Sequence, residues 1–195
     1  MIFVLPSEAQ TRRDTILDAL IAVLLTRDPR LTKKSMRGLL AVAPQAIPRM
    51  TAAIDDHSLS PEDGALLEDA IQEIRNSTRV KKPTESLLDA LLAGLRIGDA
   101  ELQQLAIRAI ACCGPESVDY LIQAAAENIR HPDYCLRLLS AAEQGGHQPG
   151  WEMRMQLMLG FTGTKRTEIR DRAVQLFYSF APHAQSCRGK RGRAG

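Results

Sequence analysis

Apolar residues recur at spacings of three and four along most of the chain, as on one face of an α-helix. Within 100–113, for example, Leu102, Ala106, Ala109 and Ile110 share one side when each residue turns the helix by about 100°. Aromatic residues make up only 4% of the chain, while Ala and Leu are abundant. This composition favours helices packed through small side chains over a β-sandwich, so we predict an all-α protein.

Ten helices follow from this spacing and from the turn residues between its segments. We expect N-caps at Ser60, Asp99 and Thr167, and a capping box formed by Ser7 with Gln10. After a leading helix at about 8–27, the predicted helices form pairs at 30–43 with 45–55, 61–77 with 84–97, 100–113 with 116–129 and 132–144 with 150–160, followed by a last helix at 167–181.

The chain contains an internal repeat. Residues 28–50, 133–149 and 168–182 each align without a gap with part of 99–121, at offsets of 71, 34 and 67. Prolines punctuate the chain at positions 44, 83, 115, 149 and 182. A period of this size is typical of helical solenoids, in which each helix pair buries its apolar face against the next.

The repeated helix resembles the first helix of HEAT repeats, especially the short HEAT-like repeats also found in phycobilisome lyase-type proteins. Such helices read Asp-x-x-Val-Arg, then small residues, then Leu and a terminal Gly. The segment "DAELQQLAIRAIACCG" keeps this pattern from Asp99 to Gly114, with Gln103 at the Arg position. The segment "DYCLR" keeps it at Asp133 and Arg137.

This resemblance covers roughly residues 28–182. It implies a right-handed α-solenoid of about five HEAT-like helical hairpins with a leading N-terminal helix. We therefore expect one domain over 1–182 and a flexible basic segment over 183–195. The resemblance favours a fold more than a function, because such repeats serve many unrelated roles.

Charge is unevenly distributed along the chain. The formal net charge is +2, but without the four basic residues of 183–195 the chain has 21 basic against 23 acidic residues, a net of −2. The rest of the chain therefore lacks the basic surface that a phosphate backbone requires. The N-terminus does not have the pattern of a secretory signal, and no apolar run reaches the roughly 18 residues of a membrane span. We predict a cytoplasmic protein that does not associate with a membrane.

Cysteine and histidine are the residues to test for metal binding or catalysis. Cys113 falls at an apolar position of the repeat and Cys112 at its flank, so we predict buried or half-buried thiols. A mixed Cys/His metal site from Cys112, Cys135 and His131 is the alternative. No histidine stands in a recognisable order with a nucleophile and an acid. We therefore predict no metal, no cofactor, no catalytic residue and no enzymatic activity.

The predicted helix at 150–160 contains a group of methionines. Helical spacing places Trp151, Met155, Met158 and Leu159 on a core face, and it leaves Arg154, together with Met153, facing outward. An adaptable methionine-lined binding groove is the alternative.

Solenoids usually bind partners through the surface formed by their second helices. By the repeat alignment, Arg49, Tyr120 and Arg154 occupy equivalent outward places and should form a row, which suits a protein or peptide partner better than a phosphate backbone. An ordinary solvated face is the alternative. The predicted partner-binding residues are Arg49, Asp89, Tyr120, Gln123, Glu127 and Arg154.

Three further hypotheses stay open. HEAT-like folds also occur in alkylpurine DNA glycosylases, and the basic segment could contact nucleic acid through Arg188, Lys190, Arg191 and Arg193. The repeat type alone implies a bilin-lyase-like enzyme, for which no residue can be nominated. The last repeat lacks a second helix, so its apolar side could contact another protein or a second copy of the chain.

Overall fold

The computed structural model describes residues 8–56, 59–77, 83–145, 149 and 151–180. Within these ranges the protein is all-helical, which confirms the predicted fold class, and each predicted helix is found with its ends within three residues of the expected positions. The helices are α1 (Glu8–Leu24), α2 (Pro29–Ala41), α3 (Ala43–Asp55), α4 (Pro61–Asn76), α5 (Pro83–Gly94), α6 (Ala100–Cys112), α7 (Glu116–Glu127), α8 (Pro132–Gln144), α9 (Trp151–Thr162) and α10 (Thr167–Ser179).

Helix α2 and helix α6 begin with the same N-cap. The Asp28 carboxylate accepts a hydrogen bond from the backbone N–H of Arg30 at 2.8 Å, and the Asp99 carboxylate accepts one from Glu101 at 2.8 Å. Identical caps 71 residues apart support the first alignment of the repeat. Ser60 likewise accepts from a backbone N–H in the first turn of α4, so the predictions of Asp99 and Ser60 as N-caps are confirmed.

The predicted N-cap at Thr167 is wrong. Thr167 is the first residue of α10, and Arg166 occupies the cap position without a side-chain hydrogen bond to the helix. The backbone N–H of Arg166 instead reaches the hydroxyl of Thr164 at 3.3 Å. The Thr164 hydroxyl, two residues before the cap position, therefore organises the start of this helix. The sequence prediction placed this role on Thr167 instead.

The alignment offset of 34 for the copy in α8 is also wrong. His131, rather than Asp133, occupies the N-cap position of α8, which corresponds to an offset of 32 from Asp99. The reason is the following loop. Pro149 lies four residues after the C-cap Gly145, whereas the equivalent proline of the α6 copy lies two residues after its C-cap. Matching the two prolines shifted the helix register by the two extra loop residues.

With this correction, α2, α6 and α8 bury the same four repeat positions, and α10 buries two of them. The core positions of α6 are Ala106, Ile107, Ala109 and Ile110. The equivalent buried residues are Ser35, Met36, Gly38 and Leu39 in α2, Leu138, Leu139, Ala141 and Ala142 in α8, and Ala173 and Leu176 in α10. The positions that are equivalent in the sequence repeat are therefore also buried at equivalent places in these helices.

Packing between helices differs between the two halves of the chain. In the C-terminal half, α6 packs on α8 and α8 on α10, while α7 packs on α9. In the N-terminal half, α1 packs against α2, α5 and α6, and α2 packs extensively against α5. Two predicted pairs, 61–77 with 84–97 and 132–144 with 150–160, do not form packed hairpins within the described residues. Helix α4 lies against α2 and α3, whereas α5 lies against α2, α1 and α6. Helix α8 lies against α6, α7 and α10, whereas α9 lies against α7 and α10.

A glycine explains the close approach of α1, α2 and α5. A Cβ atom added to Gly38 would lie 2.7 Å from the Cβ of Ala90 in α5 and 2.8 Å from a methyl group of Leu20 in α1. The buried Ser35 hydroxyl, one turn earlier, donates a hydrogen bond to the backbone carbonyl of Leu20. Buried residues from all ten described helices form one apolar cluster around these contacts.

Helix α9 departs from the predicted core face. Leu157 and Phe161 are buried, whereas Leu159 is 71% exposed and Met155 and Met158 are half-buried. Met153, expected to face outward, packs against the core. This helix is apolar around most of its circumference, so spacing alone does not select the buried side. None of the described helices has the length and hydropathy needed to cross a membrane.

Candidate functional site

Two adjoining hollows open where α5 and α7 end and α8 begins. The tyrosine hollow, of about 170 Å³, is lined by Asp89, Tyr120, Gln123, Glu127 and their neighbours. The arginine hollow, of about 390 Å³, is lined by Arg96, Asn128, His131, Pro132, Asp133, Tyr134 and Arg137. Arg96, Asn128 and Tyr134 line both hollows, which together form one groove.

The tyrosine hollow brings together four of the six predicted partner-binding residues. The Tyr120 hydroxyl of α7 donates a hydrogen bond to the Asp89 carboxylate of α5 at 2.6 Å. Along α7, the Gln123 amide donates to the Glu127 carboxylate at 3.2 Å. Burial, and then the hydrogen bond to Asp89, raise the pKa of Tyr120 well above its ordinary value. Tyr120 is therefore a neutral donor at physiological pH.

Arg96 stands at the boundary of the two hollows. Its guanidinium donates to the side-chain oxygen of Asn128 at 3.3 Å and lies 4.7 Å from the centre of the Tyr134 ring. Asn128 is itself oriented, because its amide nitrogen donates to the carbonyl of Ala124 at 2.7 Å. A cation–π contact and a fixed amide oxygen thus hold the charged end of Arg96 in place.

Helix α8 closes the arginine hollow by binding the end of α5. The Tyr134 hydroxyl donates to the carbonyl of Leu92 at 3.3 Å, and the Arg137 guanidinium donates to the carbonyl of Leu95 at 3.0 Å. Both acceptors belong to the last turn around the end of α5, whose carbonyls lack intrahelical partners. Burial raises the pKa of Tyr134, so this hydroxyl also stays protonated.

The residues of the arginine hollow were missed because the prediction considered only second helices. Tyr134 and Arg137 lie on α8, which is a first helix, and Arg96 lies just after α5. A signal was present in the sequence, since Arg96 falls in the last turn of the predicted helix at 84–97, and Tyr134 and Arg137 lie near the start of the predicted helix at 132–144. Only the tertiary structure shows that these segments meet.

The other two predicted residues have partners elsewhere. Arg49 forms two hydrogen bonds with the Asp18 carboxylate of α1, at 2.7 and 2.8 Å, and this contact raises the pKa of Arg49. The Arg154 guanidinium lies 5.5 Å from the centre of the Phe177 ring, and its Nε is buried without a hydrogen-bond partner in the described part of the chain. The Arg154 guanidinium therefore contacts α10, and the row of Arg49, Tyr120 and Arg154 stays a prediction.

The cysteines occupy apolar surroundings. Cys135 is fully buried and its thiol contacts the carbonyl of Ala125 at 3.4 Å, while the half-buried Cys113 contacts that of Ala109 at 3.4 Å. Burial raises the pKa of Cys113 to about 12 and that of Cys135 to about 11. Cys112, Cys113 and Cys135 are free thiols. Among the described residues, no three His, Cys, Asp or Glu side chains are placed to hold a metal ion, so the mixed site with His131 does not assemble.

Several predicted features lie outside the described residues. They include Ser7 of the proposed capping box and the basic segment with Arg188, Lys190, Arg191 and Arg193. The side chain of Trp151 is also outside this description.

Comparison with known proteins adds no relative to this picture. No protein-family model, curated protein or solved structure matches the chain.

Proposed function

We propose that the chain is a HEAT-like α-solenoid that acts as a non-enzymatic interaction module in the cytoplasm and docks a segment of a protein partner in the groove. The solenoid assignment is supported by the shared caps of α2 and α6 and by the repeated burial pattern of α2, α6, α8 and α10. The packing of α6 on α8 and of α8 on α10 also supports this assignment, since each helix covers the apolar face of its neighbour.

One observation carries the docking proposal. Asp89, Tyr120, Gln123 and Glu127, chosen from the sequence as outward positions, line one hollow although Asp89 lies on a different helix from the other three. Two of them are joined across helices by the bond from Tyr120 to Asp89. A concave surface with an aromatic ring and a few convergent polar groups is the usual form of a recognition site.

The chemistry of the tyrosine hollow suits a polypeptide. Its carboxylates and the Gln123 carbonyl can accept hydrogen bonds from backbone N–H groups, and the ring of Tyr120 offers an apolar surface beside them. Beside Lys34 and Arg96, the hollow presents the carboxylates of Asp89 and Glu127, which would repel a phosphate backbone at the same place. This contrast favours a protein partner over nucleic acid for the described part of the chain.

Affinity capture from the native source, followed by reconstitution of the purified pair, tests the proposal. Gln123→Ala with Glu127→Lys changes two exposed positions of α7, where substitutions usually alter stability by no more than about 0.5 kcal/mol. We expect this variant and Tyr120→Ala to bind the purified partner at least about tenfold more weakly.

Gln104→Ala, at an exposed position of α6, is the matched control and should bind as the wild type does. Arg49 and Arg154 are unsuitable targets, because their substitution would also disturb the contacts with Asp18 and Phe177. A purified partner that binds the α7 variant and Tyr120→Ala as tightly as the wild type would place docking elsewhere.

A further inference from the structure

We infer that the arginine hollow is a carboxylate-binding subsite, which receives an acidic side chain of the polypeptide segment docked in the groove. This inference rests on the proposed docking function and adds the chemistry of the segment. It is carried by the charges, the fixed geometry and the size of the hollow.

The first argument is uncompensated charge. Some arginines elsewhere in the described residues pair with carboxylates, for example Arg27 with Asp63, Arg49 with Asp18 and Arg172 with Glu143. Arg96 and Arg137 bond instead to neutral acceptors, an amide oxygen and a backbone carbonyl, and neither forms an ion pair within the described ranges. The hollow thus presents two guanidinium groups whose charge is not neutralised by a bonded carboxylate.

The second argument is preorganisation. Arg96 is held by the Tyr134 ring and by Asn128, and Arg137 by the carbonyl of Leu95, so both guanidinium groups are positioned before a ligand arrives. Each bond uses one N–H of a group that has five, which leaves donors for an incoming anion. Arginine binds a carboxylate through two parallel hydrogen bonds, so a fixed fork selects for such a group.

The third argument is the net charge of the hollow, which favours a carboxylate over a phosphate as the ligand. The hollow contains two guanidinium groups and the carboxylate of Asp133, which leaves one net positive charge when His131 is neutral. Beyond the shared Arg96, the adjoining hollow adds the carboxylates of Glu127 and Asp89 and the cation of Lys34, a net of one negative charge. One negative charge balances this surplus, whereas a phosphate near neutral pH carries up to two and would face three carboxylates.

The size and position of the hollow fit a side chain on an extended segment. A volume of about 390 Å³ lies at the lower end of the range for ligand pockets. Because Arg96, Asn128 and Tyr134 line both hollows, a segment lying in the tyrosine hollow can place its next acidic side chain against Arg96 and Arg137.

The test uses N-acetyl-glutamic acid α-amide as a probe with a single side-chain carboxylate. It is titrated into the full-length protein at low ionic strength, and the Nε–Hε resonances of the arginines are followed by NMR. We expect saturable shifts at Arg96 and Arg137, and about a ten- to hundredfold loss of affinity in Arg96→Gln and in Arg137→Gln, because each variant loses a charged hydrogen bond.

Two controls define the chemistry. N-acetyl-glutamine α-amide has the same shape without the charge, and Arg108→Gln removes an exposed arginine of α6 outside the groove. The neutral amide should cause no saturable shift at Arg96 and Arg137. Arg108→Gln should bind the charged probe as tightly as the wild type does. Arg137→Lys, which keeps the charge without the fork, should bind with intermediate affinity. Thermal melts of the four variants show which of them keep the fold, and if Arg137→Gln melts early, the comparison at this position uses Arg137→Lys.

Specific results would overturn the inference. Equal shifts with the neutral amide, or no saturable shift at Arg96 and Arg137, would refute an anion site. Tighter binding of inorganic phosphate than of the carboxylate probe would refute the carboxylate assignment. If the captured partner binds Arg96→Gln and Arg137→Gln normally while the double variant Gln123→Ala with Glu127→Lys fails to bind it, the docking function survives and this subsite does not. If the probe binds but no partner depends on the groove, the docking function fails instead.

Discussion

At the scale of single residues, the two tyrosines of the groove have opposite tasks. Tyr120 donates to the carboxylate of Asp89, whereas Tyr134 donates to a backbone carbonyl and supports Arg96 on its ring face. Burial raises the pKa of both, so neither loses its proton near neutral pH. Tyr120 therefore orients a hydrogen-bond acceptor in the groove, and Tyr134 orients a cation.

The cysteines give a residue-scale prediction about reactivity. The thiolate is the reactive form, and burial raises the pKa of Cys113 to about 12 and that of Cys135 to about 11. Cys112 is less enclosed: burial raises its pKa as well, and the nearby Arg12 offsets part of that rise. With iodoacetamide at pH 8, Cys112 should be alkylated first among these three cysteines, and Cys113 and Cys135 should react at least about ten times more slowly.

Peptide mass spectrometry at timed intervals checks this order. In about 6 M guanidinium the protein is unfolded and the three thiols should react at similar rates, which is the internal control. Alkylation of Cys135 in the native state as fast as that of Cys112 would contradict the buried position of Cys135 in α8.

At the scale of helices, α2 and α5 depend on the absence of a side chain at Gly38. An added methyl group would lie 2.7 Å from the Cβ of Ala90, which is attached directly to the α5 backbone and cannot rotate away. Overpacking of this kind costs about 1–3 kcal/mol, more than the roughly 1 kcal/mol that Ala gains over Gly in a helix. Gly38→Ala should therefore lower the free energy of unfolding, by about 1–2 kcal/mol, in urea melts.

Gly64→Ala is the matched control because a Cβ at Gly64 of α4 would meet nothing within 4 Å. This variant should raise stability by about 0.5–1 kcal/mol. Adding Ala90→Gly to Gly38→Ala should recover part of the loss, since it removes the contacting methyl group. Equal stability changes in Gly38→Ala and Gly64→Ala would mean that α2 and α5 do not approach as closely as described.

Helix positions were predictable from the sequence where the apolar residues define one face and the ends have caps. Helix α6, with Asp99 at its start and four core positions at helical spacing, meets both conditions. Helix α9 does not, because apolar side chains surround it, and the face chosen from Met155, Met158 and Leu159 is not the buried one. Local spacing determines a helix, but the neighbouring helices decide which side of an apolar helix is covered.

At the scale of the whole molecule, the sequence predicts the repeat but not which helices meet. Outward positions follow from helical spacing, so Asp89, Tyr120, Gln123 and Glu127 could be selected. Arg96 and Arg137 come together only because α5 and α8 meet, which no local pattern encodes. The same holds for α1, whose contacts with α2, α5 and α6 were not expected from a leading helix.

This position of α1 predicts a long-range effect on stability. In a simple stack of repeats, each unit contacts only its neighbours, so a change in the first helix affects mainly the first repeat. Here the fully buried Leu20 lies in α1, which packs on both α2 and α6. Leu20→Ala should destabilise the protein by about 2–5 kcal/mol, as a large-to-small change in the core.

Amide hydrogen exchange measured by NMR shows which helices lose stability in Leu20→Ala. We expect protection to fall together in α2, α5 and α6 in Leu20→Ala, because all three lose the same packed surface. Leu176→Ala in α10 removes an equally buried leucine, and its effect should centre on α8 and α9, the helices that α10 contacts. If Leu20→Ala lowers protection in α2 but leaves α6 at the wild-type level, the contact between α1 and α6 contributes little to stability, and the N-terminal helix is an ordinary end of the stack.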